Sequence, residues 1–435
     1  VQWAAAKYKH PALKTIVPYV AAIPGQGLPM ENNIFLSANY QWNFYVMNNK
    51  SLDNTVNNDW NRWDQMRTKW YESGAAWRKL DSIDGTPNPI LQRQHNHPSY
   101  DSYWQQMVPY KEEYAGINIP VLTITGYYDD GQISALHYLK QHYKHNKNAN
   151  HYLVIGPYDH FGAQIGGYPV LRGYTLDPTA VISMRSITFE WFDHMLRGAP
   201  KPAILKDKFN YAVMGANEWR SAPSIEKMRD TLLRFYFSGN KRGDEYALSI
   251  KKPSKPGFLL QEVDLADRKS MNNDYYPGVI ISKEINRSNG LFFISEPFDK
   301  PVSVNGCFSG LIRATINKKD MDIGIILYEV TPTGEYFHLS YYLGRASYAF
   351  DMSKRKLLQP GSPELIPYLR SRMVSRQLNK GSRLLVVLNI NKNAYAQINY
   401  GTGKDVSDET IADAGAPLRI KWHTDSYIEI PISWR

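Results

Sequence analysis

A single cysteine, Cys307, in 435 residues excludes an internal disulfide and any metal site built on several thiolates. Its setting, GCFSGLIRATI, alternates like a strand, so a small apolar role is expected for it. Long apolar runs are missing too: none reaches the ~18–20 residues that a membrane-crossing helix needs. Basic residues outnumber acidic ones, for a net charge of +10, but no run of five or more Lys or Arg occurs. The short clusters KRGDEY, KKPSKP and KRK are broken by acids and turn residues. A scattered basic surface is therefore expected rather than a nucleic-acid groove. The chain begins at Val1 without a charged-then-apolar leader. Also absent is Gly-x-Ser-x-Gly, the tight strand-to-helix turn that presents a nucleophilic serine. GCFSG around Ser309, ESG at Ser73 and PGS at Ser362 all fail on spacing.

What is present is aromatic and zoned. Aromatic residues make up 13% of the chain, with 31 tyrosines and 11 tryptophans, suited to sheet surfaces and to pockets for organic groups. Residues 1–23 read as a short helix, VQWAAA, a turn at His10-Pro11, and a strand, LKTIVPYV. Residues 24–115 carry few strand signals. There Trp60, Trp63, Trp70 and Trp77 recur at three- and seven-residue spacings, the signature of one helix face. That face is expected to pack inward, with a pocket-lining role as the functional alternative. His95 and His97 form an isolated His-x-His, weak as a metal motif without a third ligand. Residues 116–204 alternate strand and helix: VLTITGYYD, ISALHYLKQHYK, HYLVIGPYD, a Gly-rich loop, then ISMRSITFEWFDHMLRGAP. In this last helix Met184, Ile187, Trp191 and Met195 make an apolar stripe that Gly198 caps. Alternation at this spacing implies a parallel sheet. Residues 205–435 are short strands between turns, the pattern of a β-sandwich or jelly roll.

The chemistry lies at two strand ends. VLTITGYYDD ends in Asp129 and Asp130, and HYLVIGPYDH ends in Asp159 and His160. Sites in open α/β sheets form at the carboxyl ends of strands. A serine hydroxyl is a weak nucleophile until a neutral imidazole takes its proton. The imidazole in turn needs a carboxylate on its other nitrogen, which fixes the tautomer and stabilises the cation. Acid then histidine on successive strands matches that logic and the Ser…Asp…His order of α/β-hydrolases. The bland alternative is a loop-capping Asp129 and an ordinary loop histidine.

GYYDDGQ, IGPYDH and FEWFDHMLRG resemble the cocaine esterase and X-Pro dipeptidyl-peptidase group of serine hydrolases, the CocE/NonD family. HPSYDSYW, FNYAVMGANEWR, MDIGIILYEVTPTG, NKGSRLLVVLNI and YGTG extend the resemblance over nearly the whole chain. It implies an α/β-hydrolase core in two parts (1–23 and 116–204), an inserted helical cap (24–115) and a C-terminal all-β jelly roll (205–435). Asp129 matches the family's triad acid, with Asp130 as the alternative, and His160 matches its general base. The charge of Asp159 is expected to raise the histidine's pKa. Tyr127 and Tyr128 flank the acid, and one of them is expected to face the substrate pocket, with strand packing as the equal alternative. The N-terminal helix and strand resemble those that follow the family's nucleophile elbow. The serine, the first strands of the sheet and the oxyanion donors are therefore expected upstream of Val1, in a missing N-terminal segment.

The function that this resemblance implies is acyl hydrolysis of a small ester, amide or short peptide through an acyl-enzyme. A dipeptidyl peptidase also needs an anion for the substrate's amino terminus, for which the cap offers Glu31, Asp53, Asp59, Asp64 and Glu72. The competing reading is a non-catalytic remnant whose jelly roll binds carbohydrate or protein. No metal or organic cofactor and no nucleic-acid partner is expected. A homo-oligomer stays open, and localisation leans only towards a bacterial periplasm or the exterior.

Overall fold

The strand Val121–Gly126 (β1) is buried at every position, as VLTITG should be if both faces of a parallel sheet are covered. In this computed structural model, which describes residues 1–47, 54–272 and 275–434, β1 pairs in parallel with His151–Gly156 (β2). Val121 lies opposite His151 and Gly126 opposite Gly156, so the two strands end level. Phe209–Val213 (β3) continues the sheet in parallel beside β2, and Glu218–Ala222 (β4) closes it in the antiparallel sense.

The sheet differs from expectation at both margins. Residues 209–222 fall within the stretch read as all-β, yet they hydrogen-bond to the α/β sheet. A five-residue apolar strand carries no mark of which sheet it will join. On the far side of β1, LKTIVPYV makes only isolated parallel bridges, Ile16 to Val121 and Tyr19 to Ile124. Pro18 lacks the N–H that a continuous ladder needs, and Val20 turns away at a φ of 43°.

Helices flank the sheet where periodicity placed them. Gln2–Lys7 (α1) stacks Trp3 on Tyr138 of Gln132–His145 (α3), with ring centroids 4.9 Å apart. Met184–Arg197 (α4) buries Met184, Ile187 and Trp191. Ser183 caps its start, and Gly198, at a φ of 70°, ends it. In the 24–115 region, Trp60–Ser73 (α2) is capped by Asp59 and stopped by Gly74. Trp63, Trp70 and Trp77 are buried, whereas Trp60 is exposed. The rings pack on one another, Trp70 meeting Trp77 edge-on at 4.7 Å, which favours the inward-packing reading over a pocket wall.

Among the described residues, fourteen strands of the C-terminal region form one large sheet. Towards one end of it, Asp322–Val330 (β6) lies between Tyr336–Arg345 (β7) and Arg383–Ile390 (β9), antiparallel to both. Val302–Cys307 (β5) pairs with Met373–Leu378 (β8). That pair touches the α/β sheet directly: Met214 N–H donates to Ser375 O (3.1 Å), and Gln377 N–H donates to Met214 O (2.9 Å). Buried Gln132 adds a side-chain joint. Its amide donates to Gly126 O and Met373 O, and its Oε1 accepts from Met373 N. No described helix is long and apolar enough to cross a membrane.

The level ends of β1 and β2 impose a tight approach. A Cβ on Gly126 would sit 1.9 Å from Tyr158 O, a carbonyl already held by Tyr128 N–H at 3.0 Å. Gly126→Ala is therefore expected to cost roughly 1–3 kcal/mol, read as a lower denaturation midpoint.

Candidate active site

Asp129 leaves β1 after two aromatic residues and is fully buried. Thr125 Oγ1–H donates to its Oδ2 at 2.7 Å, and Gly131 N–H donates to its Oδ1 at 2.9 Å. His160, four residues beyond β2, brings Nδ1 to 3.0 Å from the same Oδ1. Asp130 Oδ1 also approaches Nδ1, at 2.8 Å. Two carboxylate acceptors on one ring nitrogen require the proton there. In the neutral ring Nε2 is then the acceptor, and it takes no hydrogen bond among the described residues. The His160 side chain is 40% exposed, so Nε2 is reachable.

The electrostatics follow from that sharing. Burial pushes the Asp129 carboxyl up from its ordinary value, opposed by its hydrogen bond from His160. Partial burial of the loop also works against the Asp130 carboxylate. The imidazole's hydrogen bond and charge prevail and hold Asp130 below the usual carboxylate range. For His160 burial disfavours the imidazolium, but the hydrogen bonds and charges of Asp129 and Asp130 raise the ring to about 10. Asp159, expected to raise the histidine, instead turns its Oδ1 to Gly162 N–H at 2.8 Å. Stability from the imidazolium is complete below the ring's ordinary value of 6.5 and is lost as pH rises through about 10.

The two acids do not hold the ring equally. The Asp130 side chain is 68% exposed and competes with water, whereas that of Asp129 is shut in. Asp130→Asn should therefore lower the pKa of His160 and carry the acidic limb of any base-dependent rate to lower pH. Titration of the His160 ring by NMR reads the first effect directly. An unchanged ring pKa in that variant would show that Asp130 does not act on it.

Tyr127 and Tyr128, expected beside substrate, are both buried. Their hydroxyls donate to main-chain carbonyls, Tyr127 to Ala212 (2.7 Å) and Tyr128 to His338 (3.0 Å). They brace β1 against β3 and β7, and a crevice of about 10 Å³ lies beside both rings, shared with Tyr276 and Arg372. The His-x-His pair separates as well. His95 is fully buried and pushed down to about 3, mainly by burial. His97 Nδ1 lies 2.8 Å from Asp101 and its ring stacks on Tyr103. Asp129, Asp130 and His160 offer three atoms close enough for one cation, but the hydrogen bonds above already account for the cluster.

The acids of the 24–115 stretch are mostly engaged. Asp59 caps α2, Asp64 pairs with Arg67, and Glu31 is buried against Arg372. Asp53 lies outside the described residues. Sequence reasoning missed Arg372 itself. Its guanidinium donates to Asp129 O (2.6 Å), Asp130 O (3.1 Å) and Glu31 Oε2 (2.8 Å). It thereby fixes the acid loop from 243 residues away, and no local pattern signals such a contact.

Comparison with known proteins agrees with this architecture. The X-Pro dipeptidyl-peptidase (S15 family) profile matches residues 1–162, and the profile of the X-Pro dipeptidyl-peptidase C-terminal non-catalytic domain matches residues 205–419. Cocaine esterase of Rhodococcus sp. (strain MB1 Bresler) is 24% identical over 291 residues, covering 61% of this chain and 47% of the esterase. The chain thus spans about half the length of that relative. Among solved structures, an aminopeptidase from a marine sediment Thaumarchaeota archaeon superposes with a TM-score of 0.77 at 19% identity, over 97% of this chain and 73% of that one. An α-amino acid ester hydrolase gives a TM-score of 0.75 at 17% identity, over 98% and 74%. A CocE/NonD family hydrolase from Staphylococcus aureus gives 0.63 at 14%, over 99% and 70%. At these identities the superpositions speak for the fold, and the profiles and the curated relative for ancestry: the chain belongs to the CocE/NonD family of hydrolases.

Proposed function

We propose that this chain provides the acid and the base of a Ser-His-Asp triad in an acyl hydrolase of α/β-hydrolase architecture, with a helical cap at 24–115 and a C-terminal jelly roll. The observation that carries the reading is the buried Asp129 carboxylate 3.0 Å from His160 Nδ1, with Nε2 left open. In this reading His160 takes the proton of a serine hydroxyl as it attacks the substrate carbonyl, and then returns it to the leaving group. Asp129 holds the productive tautomer and stabilises the imidazolium. The serine and the oxyanion donors come from polypeptide outside these 435 residues, which contain no Gly-x-Ser-x-Gly. At neutral pH the base form requires the Asp130 contact to loosen, which its exposure permits.

Substrates are esters or amides of small acids, or Xaa-Pro peptides. The cap acids do not separate these classes, because Glu31 is committed to Arg372. Rates on aryl esters against Xaa-Pro anilides divide them. Treatment with a fluorophosphonate followed by intact-mass analysis tests the core of the proposal. An adduct is expected on the polypeptide that carries the nucleophile, and it should form far more slowly when His160 is replaced by alanine. An equal labelling rate in that variant would falsify the role of His160 as base.

A further inference from the structure

Between α3, the loop before β1 and two turns of the large sheet lies a cleft of about 670 Å³, within the size range of small-molecule sites. Neither Asp129 nor His160 lines it. Four fixed cations do, Lys111, Lys140, Lys144 and Arg370, against two acids, Glu112 and Asp351. Arg370 is half-buried, and burial pulls its guanidinium below the ordinary value. It nevertheless makes no hydrogen bond and no ion pair among the described residues. The carboxylate of Asp351 accepts from Ser353 N–H and Oγ–H instead. The Arg370 donors reach solvent and are claimed by no protein group among the described residues, which leaves the fork open to an anion.

A second observation points the same way. Tyr114, fully buried, lines the cleft, and its hydroxyl has no hydrogen-bond partner among the described residues. Buried hydroxyls ordinarily find one. Polar side chains, among them Gln26, Asn32, His137 and Gln141, share the wall with an apolar part, Ile133 and Leu136 from α3 and Phe350, Met352 and Leu369 from the sheet turns.

From these features we propose that the cleft binds an organic carboxylate with an apolar body, its carboxylate held by Arg370. A planar carboxylate matches the guanidinium fork, Lys140 adds a second charge, and the hydrocarbon lies against the α3 face. The cleft also reaches the acid loop: Ile133 follows Asp130 by three residues, and Arg370 precedes Arg372 by two, so an occupant touches both elements that frame Asp129.

Benzoate is the probe, with benzamide as its uncharged counterpart, in calorimetric titrations of the whole chain. These titrations read binding and are independent of any hydrolysis. Benzoate is expected to bind saturably at one site, and benzamide about tenfold more weakly or worse, the worth of one charge-assisted hydrogen bond. Arg370→Gln should weaken benzoate by a similar factor and leave benzamide unchanged. Lys140→Gln, at an exposed position that cannot disturb folding, should weaken benzoate to a smaller extent. Equal affinity for benzoate and benzamide, wild-type affinity in both variants, or no saturable binding of benzoate at all would each overturn the proposal.

Discussion

Replacing His160 with alanine, in the polypeptide that carries the nucleophile, is expected to reduce kcat on an aryl ester by about 10⁴-fold, the upper range for loss of a general base. The fold should survive, because the ring is 40% exposed and packs little apolar surface. The melting temperature at neutral pH should fall by what the imidazolium contributes, so a cooperative unfolding transition still well above the assay temperature, beside the lost rate, separates chemistry from unfolding. Asp129→Asn should cost less, about 10²-fold, for a reason specific to this loop. Gly131 N–H and His160 Nδ1–H both point at Oδ1, so an asparagine must present its carbonyl oxygen there. Its amide then faces Thr125, whose hydroxyl can reverse from donor to acceptor. The tautomer of His160 is thereby kept and only the charge is lost. Part of that charge is replaced by Asp130, so Asp129→Asn/Asp130→Asn should lose more than the two single changes imply. Steady-state kinetics on the four forms test this order. A loss in Asp129→Asn as deep as in His160→Ala would mean that the tautomer is disturbed after all.

The largest effect on stability is expected at Arg372. Its side chain is 4% exposed and that of Glu31 3%, with Oε1 of Glu31 already lacking a partner. Arg372→Met would leave that carboxylate buried without a counter-charge and would strip a donor from the carbonyls of Asp129 and Asp130. Breaking one side of a buried pair costs about 3–5 kcal/mol. Removing both charges at similar volume, in Glu31→Leu/Arg372→Met, should recover most of it. Urea midpoints measure both. A single variant as stable as the wild type would show that the pair adds nothing to the joint between Glu31, the acid loop and the large sheet. Catalytic loss in the double variant despite recovered stability would identify the hold on the Asp129 carbonyl as the part that matters to the site.

Much of this arrangement was legible in the sequence wherever the signal is local. VLTITG and HYLVIG read as buried parallel strands because β-branched runs of that length have few alternatives, and the acid and histidine at their ends follow from strand direction. The cap at Gly198 and the packed tryptophan face likewise need only neighbours one turn away. Absences were equally informative: with one cysteine, an internal disulfide and a metal site of several thiolates were excluded at once. Other features depended on residues far apart in the chain, and only the tertiary structure decided them. Residues 209–222 joined the α/β sheet because β2 offered an unpaired edge, a fact about space and not about FNYAV. Tyr127 and Tyr128 turned inward because the carbonyls of Ala212 and His338 lie there. Arg372 reached the acid loop from the edge of the large sheet, and Asp130 came to share Nδ1 through the path of the loop after β2. Local spacing determines which groups stand at a strand end. Which of them meet, and in what charge state, is set by packing and desolvation between segments that sequence distance does not relate.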